Sequence, residues 1–470
     1  MTAGNFNEAG AGFVGGRGYV PAMAPTTVDA PARGTAGHVV TSELAALLAR
    51  LGDLTDSAAV VADGPVGDDA ADDGARIDQI ALLERIQAAA TATQAALMVG
   101  FARSQVAAQQ RAVLADPRAV GRGIADQIAL ACHVSPTEGS RRLGVARALH
   151  SELPATARLL RDGRISTYVA GLVVSETRHL DPQQRQAVDH QLAGQPATPL
   201  ADCAPRRAAM LARRRAYEAD PRGYLQRGRT ARNDRRVGLR PAPDTMSILS
   251  GFLPVEQGVA CLAALRAHTD TVKNTGDPRT RDQIMADTLV ERVTGQTTAG
   301  DVHAEVAIVI PVDALTQPDT ADAAAQVAEI VGHGPIPAAL AKEILAGSRG
   351  RRWWRRLFTA PHGGVVGGDP TRRCFDGTLA ALIAYRDGGR CREPFCDAPA
   401  RHIDHIVAHR AGGPTTFGNG RATCVRSNQV REMPGWTVRL VHDGLGAQTH
   451  TVITVTPTGH AYTSRAGPEP

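Results

Sequence analysis

Ile77–Phe101 reads IDQIALLERIQAAATATQAALMVGF, and this stretch sets the character of the chain. Ile80, Leu83, Ile86, Ala90, Leu97 and Phe101 recur at steps of three, four and seven. That spacing lines one face of an α-helix, so it predicts a long helix with those residues buried. The next pattern downstream is a pair of shorter helices. Ile124, Ile128 and Ala129 mark the first, and a turn follows at His133 to Ser135. Ser135-Pro136-Thr137-Glu138 then combines three helix-start signals: a Ser N-cap, Pro at the first helical position and Glu three residues after the cap. Asp181-Pro182-Gln183-Gln184 repeats the device with Gln. Several short helices are therefore expected between residues 76 and 220.

Beyond them, strand signals appear. Arg236 to Arg240 and Met246 to Phe252 flank Pro241-Ala242-Pro243-Asp244, the pattern of a β-hairpin. A helix is expected from Pro254, and His303 to Ile310 reads as one more strand. Toward the N-terminus, residues 1–75 read as a poorly ordered leader with a short helical pattern from Ser42 to Leu54 and an acidic patch at Asp63 to Asp73. The expected order is thus leader, a mainly helical domain over 76–345, a basic Gly-rich linker over 346–374 and a C-terminal module over 375–465. The fold class is mainly α with some β (α+β).

Composition narrows the function classes. The 470 residues carry 52 Lys plus Arg against 47 Asp plus Glu, a net charge of +5, and every base except Lys273 and Lys342 is arginine. Apolar residues make up 43% of the chain, which excludes a collagen, a wholly disordered chain and a small disulfide scaffold. Pro311 interrupts the best apolar run, Val306 to Val312, well short of the roughly 18 residues of a membrane span. The first 33 residues lack the basic and apolar regions of a signal peptide. Seven scattered cysteines, an odd number, point to a reducing compartment, and the cytoplasm is expected. The Arg-for-Lys bias matches a GC-rich genome, so only the placement of arginine is informative. Twelve arginines against three acids between Arg206 and Arg240 give a local charge of +9, compatible with a phosphate-facing surface or with solvated helix faces. The helix pair at Ile124 to Leu143 has the shape of a helix-turn-helix. Its second helix, with Arg141 and Arg142, either enters a DNA major groove or is one arm of an ordinary helical hairpin.

Chemistry concentrates in Cys391–Trp436, CREPFCDAPARHIDHIVAHRAGGPTTFGNGRATCVRSNQVREMPGW. The Asp404-His405 pair is followed by Gly412-Gly413-Pro414, by Asn419 and, nine residues later, by Asn428. The set resembles the HNH, or ββα-metal, nuclease motif in its variant with Asn at the third position. That resemblance implies a small strand–strand–helix module that hydrolyses DNA. His405 is then the general base, Asp404 and Asn428 hold one Mg²⁺ or Mn²⁺ ion, and Asn419 orients the loop that follows His405. The chemistry suits phosphodiester cleavage. A neutral His can deprotonate water near neutral pH, and a hard divalent ion can neutralise the charge that develops on phosphate. Arg410 and Arg426 lie close to the motif and could touch phosphates. Many such modules also carry a structural Zn²⁺. Here Cys391, Cys396 and Cys424 are present, but Ser427 stands where a fourth Cys is expected. Hydroxyl is a poor zinc ligand, so either zinc is absent or water, His402 or His409 completes the set. The expectation favours no tightly held zinc, with the thiols buried as small apolar groups.

More of the chain supports a wider resemblance. Arg141 to Leu149 (RRLGVARAL), Leu160 to Ser166 (LRDGRIS), Gly276 to Arg281 (GDPRTR) and Pro434 to Val438 (PGWTV) are similar to stretches of the actinobacterial 13E12 repeat family. That family joins a DUF222 domain to a C-terminal HNH module, and the similarity runs over roughly 76–465. Two other function classes stay open. One is a non-catalytic DNA-binding protein with a degenerate HNH module, and the other is a helical interaction protein without a nucleic-acid role.

Overall fold

The computed structural model describes residues 35–62, 70–112, 117–195, 198–201, 203–298, 308–310, 326–331, 334–347, 374–444 and 448–466. The basic linker expected at 346–374 falls outside them from 348 to 373, as do the head of the leader and most of the strand expected at His303 to Ile310. The chain forms two compact units, Met1–Gly67 and Asp68–Pro470. Among the described helices none is long and apolar enough to cross a membrane.

The first unit contains α1 (Thr35–Ala62), a helix that extends well beyond the pattern read from Ser42 to Leu54. The second unit begins with α2 (Ala70–Arg111), which bears out the long helix but corrects its buried face. Ile80, Leu83 and Leu97 are exposed, whereas Ala88, Met98, Val99 and Ala102 are buried. The reason lies in the partners. α4 (Pro136–Ser151) and α5 (Pro154–Arg161) pack against α2 on the face that carries Ala88 and Ala102, whose small side chains allow close approach.

The helical core continues through α3 (Ile124–Ala131), α6 (Thr167–Thr177), α7 (Pro182–Ala193) and α8 (Pro205–Ala219). On α8, Ala208, Ala212 and Ala216 recur every four residues and are fully buried with Val169, Val173 and Leu192 in one cluster. The start signals behave as their chemistry requires. Ser135 Oγ accepts from the Glu138 N–H, and Asp181 forms a complete capping box with Gln184. A long-range carboxylate fills the same need at α5. Asp189 accepts from the amides of Ala155 and Thr156 at 2.6 and 3.0 Å, and from the Thr156 hydroxyl at 2.5 Å.

Next come α9 (Pro221–Ala231) and the expected hairpin, β1 (Arg236–Pro241) paired antiparallel with β2 (Ser247–Phe252). α10 (Val255–Asn274), which starts where expected, then packs against α11 (Arg281–Thr294). A small sheet of β3 (Ile308–Val309), β4 (Val327–Ile330) and β5 (Gly334–Pro337) leads into α12 (Ala338–Gly347). The C-terminal part opens with α13 (Gly377–Arg386). β6 (His402–His405) and β7 (Gly420–Thr423) then pair antiparallel, and α14 (Val425–Val430) follows directly. A three-stranded meander of β8 (Thr437–His442), β9 (Thr451–Val455) and β10 (Ala461–Arg465) ends the described chain. The architecture is α+β, helices with small antiparallel sheets.

The α3–α4 pair is docked on this C-terminal part. Leu130 of α3 packs with Val430 and Trp436. Gly123, at φ 75°, lets the chain pass the indole, since a Cβ there would sit 3.0 Å from Trp436 Nε1. His133 in the helix turn stacks on Phe395 at 4.4 Å between ring centroids.

Candidate functional site

β6 ends on Asp404 and His405, and its register places them opposite Arg421 and Gly420 of β7. The intervening loop leaves β6 at Ile406, makes a short turn at His409–Ala411 and returns through Gly412-Gly413-Pro414. Asn419 fixes its shape. The buried amide accepts from the Val407 N–H at 2.8 Å, and its Nδ2 donates to the carbonyls of Val407 at 3.0 Å and Pro414 at 2.8 Å. Gly413 is required there, because a Cβ would meet the Val407 carbonyl oxygen at 1.8 Å.

His405 is half-buried beside Phe375, 4.4 Å between centroids, and its Nε2 lies 2.9 Å from Thr415 Oγ1. Burial pushes its pKa below the ordinary value, against the pull of Asp404 and together with the charges of His409 and Arg431, so the ring is neutral at neutral pH. Asp404 does not stand alone. Arg431 on the turn after α14 donates to Asp404 Oδ2 and to the His405 carbonyl, and Arg421 Nε lies 4.0 Å from the same carboxylate. Arg421 is fully buried, donates to Glu393 at 3.3 Å, and leaves Nε and Nη2 without a hydrogen bond. Asn428 sits half-buried on α14, three residues before Arg431.

A second cluster lies at the head of α14. The sulfurs of Cys391, Cys396 and Cys424 fall within 4.8 Å of one another, all buried. Ser427 Oγ completes the group, 3.4 Å from Cys391 Sγ and 3.3 Å from Cys424 Sγ. Cys424 is the thiol held lowest in pKa, because both other cysteines and Ser427 hydrogen-bond to it, whereas its hydrogen bonds to the neighbouring sulfurs and then burial push Cys396 up. The fold thus brings together the three thiols that the sequence offered as an incomplete zinc set, and it places Ser427 at their fourth corner.

The arginines expected on phosphate sit differently from one another. Arg426 is engaged inside the chain, donating to both Asp126 oxygens of α3 at 2.7 and 2.8 Å and to Ser140 of α4 at 2.8 Å. Arg141 and Arg142 both hold Glu138, whose pKa they lower to about 2. Arg410 is largely exposed and pairs with Glu432. Of the twelve arginines over 206–240, eleven are exposed, and Arg213, Arg214, Arg215 and Arg232 pair with glutamates. The sequence pattern did not single out Arg431, Arg421 or Thr415. Only the first left a trace, at i+3 from Asn428 on one helical face.

Residues 80–387 match the family described as "Domain of unknown function (DUF222)". The match ends at Asp387, before Cys391 and the Asp404-His405 pair. Two relatives from Mycobacterium tuberculosis are the uncharacterized proteins MT2160 (strain CDC 1551 / Oshkosh) and Rv2100 (strain ATCC 25618 / H37Rv). Each is 31% identical over 140 residues, 29% of this chain. The chain spans only 22% of the length of these curated relatives. No solved structure matches it. With well over half of its residues inside the family match, the chain belongs to the DUF222 family.

Proposed function

We propose that residues 375–465 form an HNH-type module that hydrolyses DNA phosphodiester bonds. The observation that carries this reading is the strand–strand–helix order with His405 at the end of its first strand and the following loop pinned by three Asn419 hydrogen bonds. In the tautomer whose Nε2–H donates to Thr415, Nδ1 of the neutral ring keeps the lone pair that removes a proton from water. Thr415 then acts as the orienting partner of the base, and general-base help of this kind contributes about 10²–10⁴-fold. Asp404 and Asn428 offer hard oxygen donors, which suit Mg²⁺ or Mn²⁺. Bound there, such an ion supplies Lewis-acid stabilisation of the developing charge. It must compete with Arg431, which already neutralises Asp404. The sulfur cluster serves as a structural zinc site with three thiolates and a weak fourth ligand, Ser427 or water. The exposed arginines of 206–240 offer the phosphate-facing surface.

The Arg431–Asp404 pair also favours a second reading, a DNA-binding module that has lost its metal and cleaves nothing. Supercoiled plasmid separates the two. Nicking that requires Mg²⁺ or Mn²⁺ and disappears in His405→Ala supports the nuclease. Equal nicking by wild type and His405→Ala sinks it. Gel retardation with a steep salt dependence and no cleavage at all leaves the binding reading.

A further inference from the structure

α1 carries a pattern that nothing in the C-terminal chemistry uses. Val40, Leu44, Leu47, Leu51 and Leu54 follow one another at steps of four, three, four and three. Their mean step of about 3.5 is the repeat of a coiled-coil seam, not the 3.6 of a helix resting on a globular surface. Among the described residues, Val40, Leu44, Leu47 and Leu54 are exposed and Leu51 is half-buried. The 28 residues make a helix of about 42 Å, four heptads long.

We propose that α1 is a dimerisation helix that pairs antiparallel with α1 of a second copy of this chain. In heptad terms Leu44 and Leu51 are a positions and Val40, Leu47 and Leu54 are d positions. Glu43 and Arg50 then both fall on the g flank, and Thr41 and Leu48 fall on the e flank. In an antiparallel pair g faces g and e faces e. Layering Leu44 on the partner's Leu47 sets Glu43 against the partner's Arg50, and the twofold axis repeats the pair. The same register covers the exposed Leu48 with the partner's Thr41 side of the seam. A parallel pair sets g against the next e, so Glu43 meets leucine, Arg50 meets Thr55, and neither charge is matched. The flank charges therefore select both the occupant and its direction.

Sedimentation equilibrium of the full chain from ~1 to ~100 µM tests this. Wild type is expected to dimerise and Leu47→Glu to stay monomeric, with helix content preserved in both. Glu43→Arg and Arg50→Glu each turn two attractive pairs into two repulsive ones and weaken the dimer roughly tenfold. The double exchange Glu43→Arg/Arg50→Glu restores the pairs and returns the affinity to within about threefold of wild type. A monomeric wild type overturns the proposal and leaves the stripe to another partner. So does a dimer indifferent to Leu47→Glu, or one in which the charge singles do nothing or the double exchange fails to rescue.

Discussion

Arg426 ties the C-terminal part to the α3–α4 pair, and its removal has a calculable cost. The guanidinium makes two charge-assisted bonds to Asp126 and one to Ser140, all between 2.7 and 2.8 Å. In Arg426→Ala the Asp126 carboxylate, whose side chain is only 10% exposed, keeps its charge without a counter-ion. Orphaning one member of a buried pair costs about 3–5 kcal/mol and a surface pair is worth about 0.2–1. Arg426 itself is 35% exposed, so water enters the space it vacates, and the expected cost is about 2–3 kcal/mol. Asp126→Ala costs less, about 1–2 kcal/mol, because the arginine keeps Ser140 and reaches solvent. The two changes therefore couple by about 1–2 kcal/mol in a double-mutant cycle. Trp436 reports the event, since it is buried against Leu130 and Val430 at this contact. With Trp353→Phe and Trp354→Phe as background it is the chain's single indole. At a urea dependence of about 2 kcal/mol per molar, Arg426→Ala should lower the Trp436 midpoint by about 1 M. A midpoint unmoved within about 0.2 M, or single effects that add within about 0.5 kcal/mol, would refute the tie.

Three further outcomes follow from the same contacts. Asn419→Ala removes the three bonds that hold the loop after His405 and should cost about 2–4 kcal/mol, with the Val407 amide losing its hydrogen-exchange protection; a protected Val407 amide in that variant contradicts the pinning role. Burial holds His450 at a pKa of about 4 against an ordinary 6.5, so it charges first in the unfolded chain. Stability from this group is full above about pH 6.5 and drains by about 3 kcal/mol as pH falls toward 4. His450→Gln, which keeps an N–H for the Gly418 carbonyl, should flatten that acid limb, and an unchanged slope excludes His450 as its source. Native mass spectrometry of chain purified with zinc should show a single bound Zn²⁺ that Cys396→Ser removes, whereas zinc retained in that variant places the metal elsewhere.

What the sequence disclosed follows the range over which each feature is determined. The helix starts at Ser135 and Asp181 depend on three or four consecutive residues, and the hairpin around Pro241 on little more, so both were legible. The buried face of α2 was not. Periodicity weighs Ile80 and Leu97 above Ala88 and Ala102, but the close approach of α4 and α5 selects small side chains, and no local rule announces that neighbour. At the site, spacing marked Asp404, His405, Asn419 and Asn428, and in the fold Asn419 hydrogen-bonds the loop that follows His405. Arg431 reaches Asp404 across 27 residues and Arg426 reaches Asp126 across 300, distances at which a pattern of neighbours carries no information. The sulfur cluster stands between these cases, since its members were visible but the corner taken by Ser427 exists only once β7 and α14 are folded.

The arginines of the C-terminal part take their meaning from where the fold places them. Counted along the sequence, residues 386–432 hold eight arginines against five acids, which suggests a basic surface. In the fold, Arg386, Arg392, Arg421 and Arg431 have side chains no more than 10% exposed and face Asp387, Glu393 and Asp404 in one internal network. Charge enclosed in this way is compensated where it stands. It contributes little to the field at the surface and much to the rigidity of the strands that carry His405. Within this network the cation beside Asp404 is Arg431, supplied by the chain itself. Among the described residues, Arg206, Arg222, Arg229 and Arg240 on α8, α9 and the hairpin are exposed, in contrast to the enclosed arginines of this network.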